Sequence, residues 1–206
     1  MRFDHRSKDT FKKDIYFATM LEKYFFNEWL KRCEPWIKVT SYSDNGCGND
    51  GEFIEKGNTA GADYRIWGSL CHGSIGCGLS SFSSIEDEPL EIKWVPTAGK
   101  FTLKENDLRA YVKENASILF IYNSINCGTN LRKPKDYNLE EHIKLIESKS
   151  DQIRWGIMWS NKVKEFYNVA NDNGLFRSIN YMGGKSGIVL KQNDFHKWFT
   201  EHKWRV

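Results

Sequence analysis

The segment PLEIKWVP, residues 89–96, decides the fold. Its three apolar residues Leu90, Ile92 and Trp94 alternate with the charged pair formed by Glu91 and Lys93. Alternation with a period of two is typical of a β-strand whose successive side chains point to opposite faces. The segment therefore predicts a strand with one apolar face and one face that carries a carboxylate beside an ammonium group.

The composition describes an ordinary globular chain. It has 206 residues, of which 40% are hydrophobic and 28% charged, so we expect a single domain over 1–206 with a core of its own. The net charge of +3 is compatible with a nucleic-acid partner. We expect no membrane contact, because no apolar run has the length of a membrane span. The polar start of the chain argues against a signal peptide, and five scattered cysteines favour a reducing, cytoplasmic compartment.

Hydrophobic periodicity and turn residues divide the chain into alternating helices and strands. The predicted strands span 36–41, 62–67, 90–95, 117–122 and 187–190. The predicted helices span 11–32, 104–113, 138–148 and 152–170, and a last helix, with Asn193 and Asp194 at its start, includes Phe195, Trp198 and Phe199. This order predicts an α/β (α+β) fold with a mixed central sheet of about four to five strands flanked by helices.

Two carboxylates are expected to meet on neighbouring strands. Asp63 lies in GADYRIW (61–67), and if that strand pairs with the strand of Glu91, the two side chains come close. Such carboxylates repel each other unless a cation lies between them, and their oxygens suit Mg²⁺. Lys93 would orient a water molecule or neutralise a negatively charged substrate.

A third carboxylate lies on the predicted first helix. Steps of three and four place Glu22 on the apolar stripe that runs through residues 11, 15, 18, 25 and 29. A glutamate in such a stripe is costly unless it has a partner. Glu22 could therefore reach the site of Asp63 and Glu91 from the helix above the sheet. Alternatively, Glu22 lies at the edge of the stripe and extends to water.

The pattern of Asp63 followed by Glu91-Ile92-Lys93 on the next strand resembles the signature of the PD-(D/E)XK nuclease superfamily. A first helix with a glutamate, and a helix and apolar strand after the signature, also resemble that family's restriction-endonuclease-like core. The resemblance covers roughly residues 10–125 and leaves 126–206 without a counterpart. Ala62 stands where the family often has proline, and 27 residues separate Asp63 from Glu91.

The resemblance implies a Mg²⁺-dependent endonuclease that hydrolyses DNA phosphodiester bonds in a bacterial or phage-infected cell, with phage and homing endonucleases as the candidate types. Asp63, Glu91 and the backbone carbonyl of Ile92 would hold the metal, which Mn²⁺ could replace. Lys93 would position the attacking water, and Glu22 would act directly or through water. Nucleases of this kind often act as homo-oligomers.

Basic and hydroxyl residues suggest where the substrate would lie. Lys100, Thr102 and Lys104 follow the signature strand, where the resemblance implies phosphate contacts. Lys185 lies in the turn YMGGKSG (181–187), whose backbone N–H groups could approach a phosphate. Solvated loop charges and an ordinary hairpin turn remain the alternatives.

Other functions were weighed against hydrolysis. The second class is a catalytically inactive nucleic-acid-binding module on the same fold, which a buried or scattered carboxylate set would favour. A third possibility is a solvated surface pair of Glu91 and Lys93, with Asp63 capping a turn. The cysteines and histidine at Cys47, Cys71, His72 and Cys77 have no familiar zinc-ligand spacing.

Overall fold

A computed structural model of the chain describes residues 8–33, 36–45, 61–72, 81–96, 100–124, 131–132, 134–179 and 185–204. These segments form an α+β fold with a mixed six-stranded sheet, a second three-stranded sheet and flanking helices. The predicted fold class is therefore confirmed. No helix within these segments is both long and apolar enough to cross a membrane.

The main sheet has the strand order β1-β2-β3-β5-β6-β9. Its strands are β1 (Ile37–Asp44), β2 (Tyr64–His72), β3 (Ser81–Val95), β5 (Ser117–Asn123), β6 (Ile153–Met158) and β9 (His202–Lys203). Strands β3 and β5 run parallel, and every other neighbouring pair is antiparallel. The mixed sheet arises because β3 and β5 are joined by a crossover that contains a strand and a helix.

The second sheet is antiparallel, with the order β4-β8-β7. It consists of β4 (Lys100–Lys104), β7 (Arg177–Ile179) and β8 (Lys185–Lys191). The inward side chains Phe101, Leu103 and Leu190 are buried, so this sheet covers part of one face of the main sheet.

The helices are α1 (Lys8–Arg32), α2 (Glu105–Glu114), α3 (Leu139–Ser148) and α4 (Ser160–Asp172). Helices α1 and α3 contribute to the core on one face of the main sheet, which includes Leu90 and Ile92. Helices α2 and α4 contribute to the core on the opposite face. The apolar side of β3 thus faces α1, where the rings of Phe25 and Trp94 lie 4.4 Å apart.

The buried stripe of α1 runs through Phe17, Leu21, Phe25 and Trp29, with Phe26 beside it. The predicted stripe was therefore displaced, since Ala18 is exposed; the side chain of Phe11 lies outside the described residues. Glu22 follows Leu21 directly and lies at the edge of the stripe, where it retains partial exposure.

Two predicted helices differ from the structure, one in its first half and the other in its type. Residues 152–170 do not form one helix, because Ile153–Met158 is a strand that pairs with β5 and only Ser160 begins a helix. The run IRWGIM is buried on both faces, and such a run carries no alternation that separates a strand from a helix. The last predicted helix is a short 3₁₀ segment, Gln192–Lys197, that contains Asn193 and Asp194 and has no side-chain cap.

Candidate active site

The site lies near Leu90 of β3, where pairing with β2 on one edge ends and pairing with β5 on the opposite edge begins. Pairing with β2 ends at Leu90, which lies opposite Tyr64. Pairing with β5 begins at the same residue, opposite Ser117. Beyond Leu90, the backbone of β3 is no longer paired with β2. Asp63, the residue directly before β2, lies beside this unpaired edge.

The carboxylate of Asp63 takes over the missing backbone pairing. Its Oδ2 accepts a hydrogen bond from the Ile92 N–H at 2.8 Å. The N–H and C=O of one strand residue point to the same side, so the Ile92 carbonyl also faces Asp63. The predicted proximity between the strands of Asp63 and Glu91 is thus confirmed.

Backbone contacts on both sides fix the segment that carries Asp63. The Asp63 carbonyl accepts the Asn45 N–H at 3.1 Å. The Asn45 side chain donates to the Ala62 carbonyl at 3.2 Å, and the Ala62 N–H donates to the Glu114 carboxylate at 3.1 Å. The position of Asp63 is therefore set by β1, β2 and the end of α2 together.

Glu91 is the deepest member of the site. Its side chain is buried, with 5% of the residue exposed, and its Oε1 accepts a hydrogen bond from the Tyr111 hydroxyl at 2.7 Å. The Lys93 ammonium group forms an ion pair with the same oxygen and lies 5.6 Å from the centre of the Tyr111 ring. A solvated surface pair of Glu91 and Lys93 is therefore wrong.

Tyr111 was missed by the sequence analysis. It lies on α2 three residues after the buried Leu108, on the face that packs against the sheet. Tyr111 as a whole is 2% exposed, and a buried tyrosine hydroxyl generally finds a polar partner. A tyrosine on the apolar stripe of the helix after the signature strand was the available signal.

Glu22 on α1 lies close enough to the site to interact electrostatically with Lys93 and Glu91. Burial, together with the nearby Lys93 and Glu91, sets the pKa of the Glu22 carboxyl, and the net effect raises it from 4.5 to about 7. Glu22 also borders a cavity of about 150 Å³ beside Trp94 and Pro96. The predicted approach of Glu22 to the carboxylate pair is supported by these interactions.

The site holds more negative than positive charge. Burial and the neighbouring carboxylates Glu91 and Glu22 raise the pKa of Asp63 well above its usual value. One ammonium group, that of Lys93, faces the three carboxylates. Such repulsion favours protonation or the presence of a further cation.

The pKa of Lys93 is governed by two opposing effects. Burial lowers it, but the attraction of Glu91, followed by Tyr111, Glu22 and Asp63, outweighs burial and raises the pKa well above its usual value. Lys93 is therefore a cation at neutral pH and can donate hydrogen bonds but cannot act as a base.

The chemical types of these residues suit Mg²⁺, but their arrangement in the structure is less suitable for a metal ion. Carboxylate oxygens and a backbone carbonyl are the ligands that this ion prefers, and its charge would relieve the repulsion between Glu22, Asp63 and Glu91. Among the described residues, however, no group of three or more Asp, Glu, His or Cys side chains converges as metal ligands would. Asp63 and Glu91 each direct one oxygen to a protein donor instead.

The predicted substrate residues fall on the second sheet. Lys100, Thr102 and Lys104 occupy alternate positions of β4, and the intervening Phe101 and Leu103 point inward. Lys185 begins β8; the preceding part of its turn, 181–184, lies outside the described residues. Three of the four residues thus share the outer face of one strand, and the fourth lies on the neighbouring strand.

Two lysines on that outer face lie opposite each other. Lys100 pairs in register with Lys191 of β8, and both are exposed. Like charges directly opposite on neighbouring strands destabilise a sheet. Lys104 forms an exposed ion pair with Asp107 at 3.5 Å, a contact that contributes little to stability. The outer face is therefore suited to an anionic partner.

The zinc alternative gains no support from the structure. Cys71 is partly exposed on β2 beside His72, whose ring nitrogen Nε2 lies 2.8 Å from the Ser83 hydroxyl. Cys47 and Cys77 lie outside the described residues.

Comparison of the chain with family models, with curated proteins and with solved structures finds no match.

Proposed function

We propose that the protein is a Mg²⁺-dependent endonuclease of the PD-(D/E)XK type that hydrolyses phosphodiester bonds in DNA. The observation that carries this proposal is the convergence of Asp63, Glu91 and Lys93 where β3 exchanges β2 for β5. The cluster joins the buried carboxylate of Glu91 to the ammonium group of Lys93, whose side chain as a whole is 31% exposed. The carboxylate set is therefore not scattered.

In this proposal, Asp63, Glu91 and the Ile92 carbonyl would hold the metal, for which Mn²⁺ could substitute. When bound, the ion would lower the pKa of a water molecule and stabilise charge on the scissile phosphate. Binding would require Glu91 to exchange its contact with the Lys93 ammonium group for the ion, which leaves Lys93 able to donate to the attacking water or to a phosphate oxygen.

The other residues would position these groups. Tyr111 holds Glu91 through the 2.7 Å hydrogen bond, and Asp63 is held by the Ile92 N–H. Glu22 would accept a proton or contact the metal through water. The water oxygen would form a bond to phosphorus as one ester bond breaks, and the leaving oxygen would take up a proton from solvent.

The outer face of the second sheet supports a polyanionic substrate. Lys100 and Lys191 lie opposite each other there, and a DNA phosphate between them would relieve their repulsion. Thr102, Lys104 and Lys185 would add hydroxyl and ammonium donors. Contacts of this kind fix the position of DNA without reading its sequence.

The decisive experiment measures cleavage of supercoiled plasmid and linear duplex DNA in Mg²⁺, Mn²⁺ or EDTA. We expect metal-dependent cutting that falls at least about a hundredfold in Glu91→Gln and Lys93→Ala, because each removes a group expected to contact the reacting atoms. Glu91→Gln keeps an acceptor for Tyr111, and its folding is checked by circular dichroism. Glu140→Gln and Lys164→Ala, at exposed positions of α3 and α4, are the matched controls.

The alternatives predict different results. DNA binding without cutting under any condition would support the inactive nucleic-acid-binding module. The absence of both cutting and binding would overturn both proposals. Cutting that survives in Glu91→Gln would place the active site elsewhere.

A further inference from the structure

A second concave site lies among residues that the proposed hydrolysis does not use. It is a groove of about 710 Å³ between the start of β1, the end of β2, the second half of β6 with the start of α4, and the segment 196–202. Its aromatic lining consists of Trp36, Trp155, Trp159, Trp198 and Phe199. We call this the tryptophan groove. Grooves of this volume with aromatic walls are typical of sites for planar ligands.

Three of the rings that line the groove form a stack from core to surface. The ring centres of Trp155 and His202 lie 4.4 Å apart, with 26° between their planes. Those of His202 and Trp36 lie 5.3 Å apart at 41°. Trp155 is buried, whereas Trp36 is 37% exposed. The series therefore ends on an indole ring that is accessible to a further flat ring.

The polar lining of the groove contains two lysines, Lys162 and Lys197, and three histidines. Burial lowers the pKa of His202, so this ring is neutral at neutral pH. The acidic residue in the same lining is Glu201, whose carboxylate accepts the Tyr122 hydroxyl at 2.5 Å and lies 3.9 Å from Arg154. The two ammonium groups are therefore the positions at which the groove could hold an anion.

The two lysines can be released for such an anion. Lys162 pairs with Glu165 at 2.6 Å, and Lys197 pairs with Asp194 at 2.7 Å. Both are partly exposed pairs of residues three apart on one helical turn, and pairs of this kind contribute at most about 1 kcal/mol. A phosphate could replace either carboxylate at little cost.

The groove is separate from the candidate active site. Cys71, which lines it, follows Asp63 by eight residues along the strand β2. At roughly 3.3 Å per residue of an extended strand, the two positions lie about 26 Å apart. One ligand the size of a single nucleotide therefore cannot contact both sites.

We infer that the tryptophan groove binds an unpaired nucleotide of a nucleic-acid strand. The base would stack on the exposed ring of Trp36, and its phosphates would contact Lys162 and Lys197. Stacking on aromatic side chains beside basic residues is a general mode of single-strand binding. The choice of a nucleic-acid strand over a free nucleotide rests on the proposed nuclease function.

The test uses the full chain in EDTA, where metal-dependent cleavage is absent. Fluorescently labelled octathymidylate is titrated with wild type, Trp36→Ala, Trp36→Phe and Lys197→Ala, and anisotropy gives the affinity. We expect Trp36→Ala to weaken binding about tenfold through the lost base stacking, and Trp36→Phe to retain most of the affinity. Lys197→Ala should reduce the dependence of affinity on salt.

Controls separate stacking from general charge. Tyr16→Ala removes another exposed aromatic side chain, on α1, and should leave the affinity unchanged. An abasic octamer should bind wild type about tenfold more weakly than octathymidylate, with no further loss in Trp36→Ala. Thymidine monophosphate should compete only at much higher concentration.

Three results would overturn the inference: equal affinity of wild type and Trp36→Ala, equal affinity for the abasic and complete octamers, or equally tight binding of the mononucleotide. The failure of the proposed nuclease is distinguishable from these results. If no DNA is cut with any metal ion while binding depends on Trp36, the nucleotide site is supported and the proposed nuclease function is overturned. If Glu91→Gln abolishes cutting while Trp36 has no effect on binding, the reverse holds.

Discussion

At the scale of single residues, one oxygen atom organises the candidate site. Oε1 of Glu91 receives both the Tyr111 hydroxyl and the Lys93 ammonium group. The sequence predicted the pairing of Glu91 with Lys93 on one face, because alternation along a strand is a local property. It could not predict Tyr111, because that contact joins two residues 20 positions apart through the packing of α2.

Removal of the Tyr111 hydroxyl tests whether this residue positions Glu91. Tyr111→Phe loses a buried hydrogen bond to a carboxylate, so we expect a loss of about 2 kcal/mol in the free energy of unfolding. We also expect cleavage to require a higher Mg²⁺ concentration, because Glu91 would be less well oriented to bind the ion. Urea denaturation and a Mg²⁺ titration of activity measure the two effects.

A purely structural tyrosine would behave differently. In that case Tyr111→Phe would reduce stability but leave the Mg²⁺ concentration for half-maximal activity unchanged. Tyr16→Phe is the control, since Tyr16 is 65% exposed on α1 and the same atomic change there should affect neither quantity.

At the scale of elements, local patterns predicted the strands around the site but not the order of the chain that follows. The segment Leu90–Val95 forms the second half of β3, and β5 matches its apolar run closely. Strand β6 was mistaken for a helix because both of its faces are buried, which removes the alternation. The second sheet was not predicted, since the register of β4 with β8 joins residues more than 80 positions apart.

Gly156 in β6 is the sharpest test of this packing. A Cβ atom at this position would lie 2.3 Å from Phe199 Cδ2 and 2.7 Å from the Thr200 carbonyl oxygen. We expect Gly156→Ala to destabilise the protein by about 3 kcal/mol, because backbone beside a strand cannot move away easily. Thermal or urea denaturation measures the loss.

Gly174→Ala is the matched comparison. Among the described residues, apart from its two chain neighbours, no atom lies within 4 Å of a Cβ at Gly174, so its φ of 57° is what opposes the substitution, at a cost of about 1 kcal/mol. Equal losses in the two variants would contradict the close contact between β6 and the segment around Phe199.

At the scale of the whole molecule, the site lowers the stability of the fold that carries it. Three carboxylates share a partly buried space with one ammonium group, and the pKa values of Glu22 and Asp63 are raised in consequence. A group whose pKa is raised on folding binds protons more tightly in the folded state. Without metal, the contribution of these carboxyls therefore becomes less favourable as the pH rises.

The pH dependence of unfolding in EDTA measures this cost for Glu22. Its pKa is raised from 4.5 to about 7, so the penalty is absent below pH 4.5, grows between these values and is complete above pH 7. The charged groups that face it include Lys93, Glu91 and Asp63. We expect Glu22→Gln to be more stable than wild type by roughly 2 to 3 kcal/mol at pH 8.

The same variant should show no comparable gain at about pH 3.5, which lies below both pKa values, so that the carboxyl is largely protonated in the folded and in the unfolded state. Glu140→Gln, at an exposed position of α3, should show no such difference between the two pH values. A gain from Glu22→Gln that is equal at both pH values would contradict the raised pKa.

The bond from the Ile92 N–H to Asp63 also bears on how the chain can evolve. An aspartate that completes the backbone pairing of a strand would remain useful even if the proposed hydrolysis were lost, and asparagine can accept the same bond. A descendant that only binds DNA is therefore expected to retain Asp63, or to exchange it for asparagine, while Lys93 is free to change. In a related sequence, an aspartate at the position of Asp63 would therefore indicate the same fold. A lysine at the position of Lys93 would be needed to indicate the same chemistry.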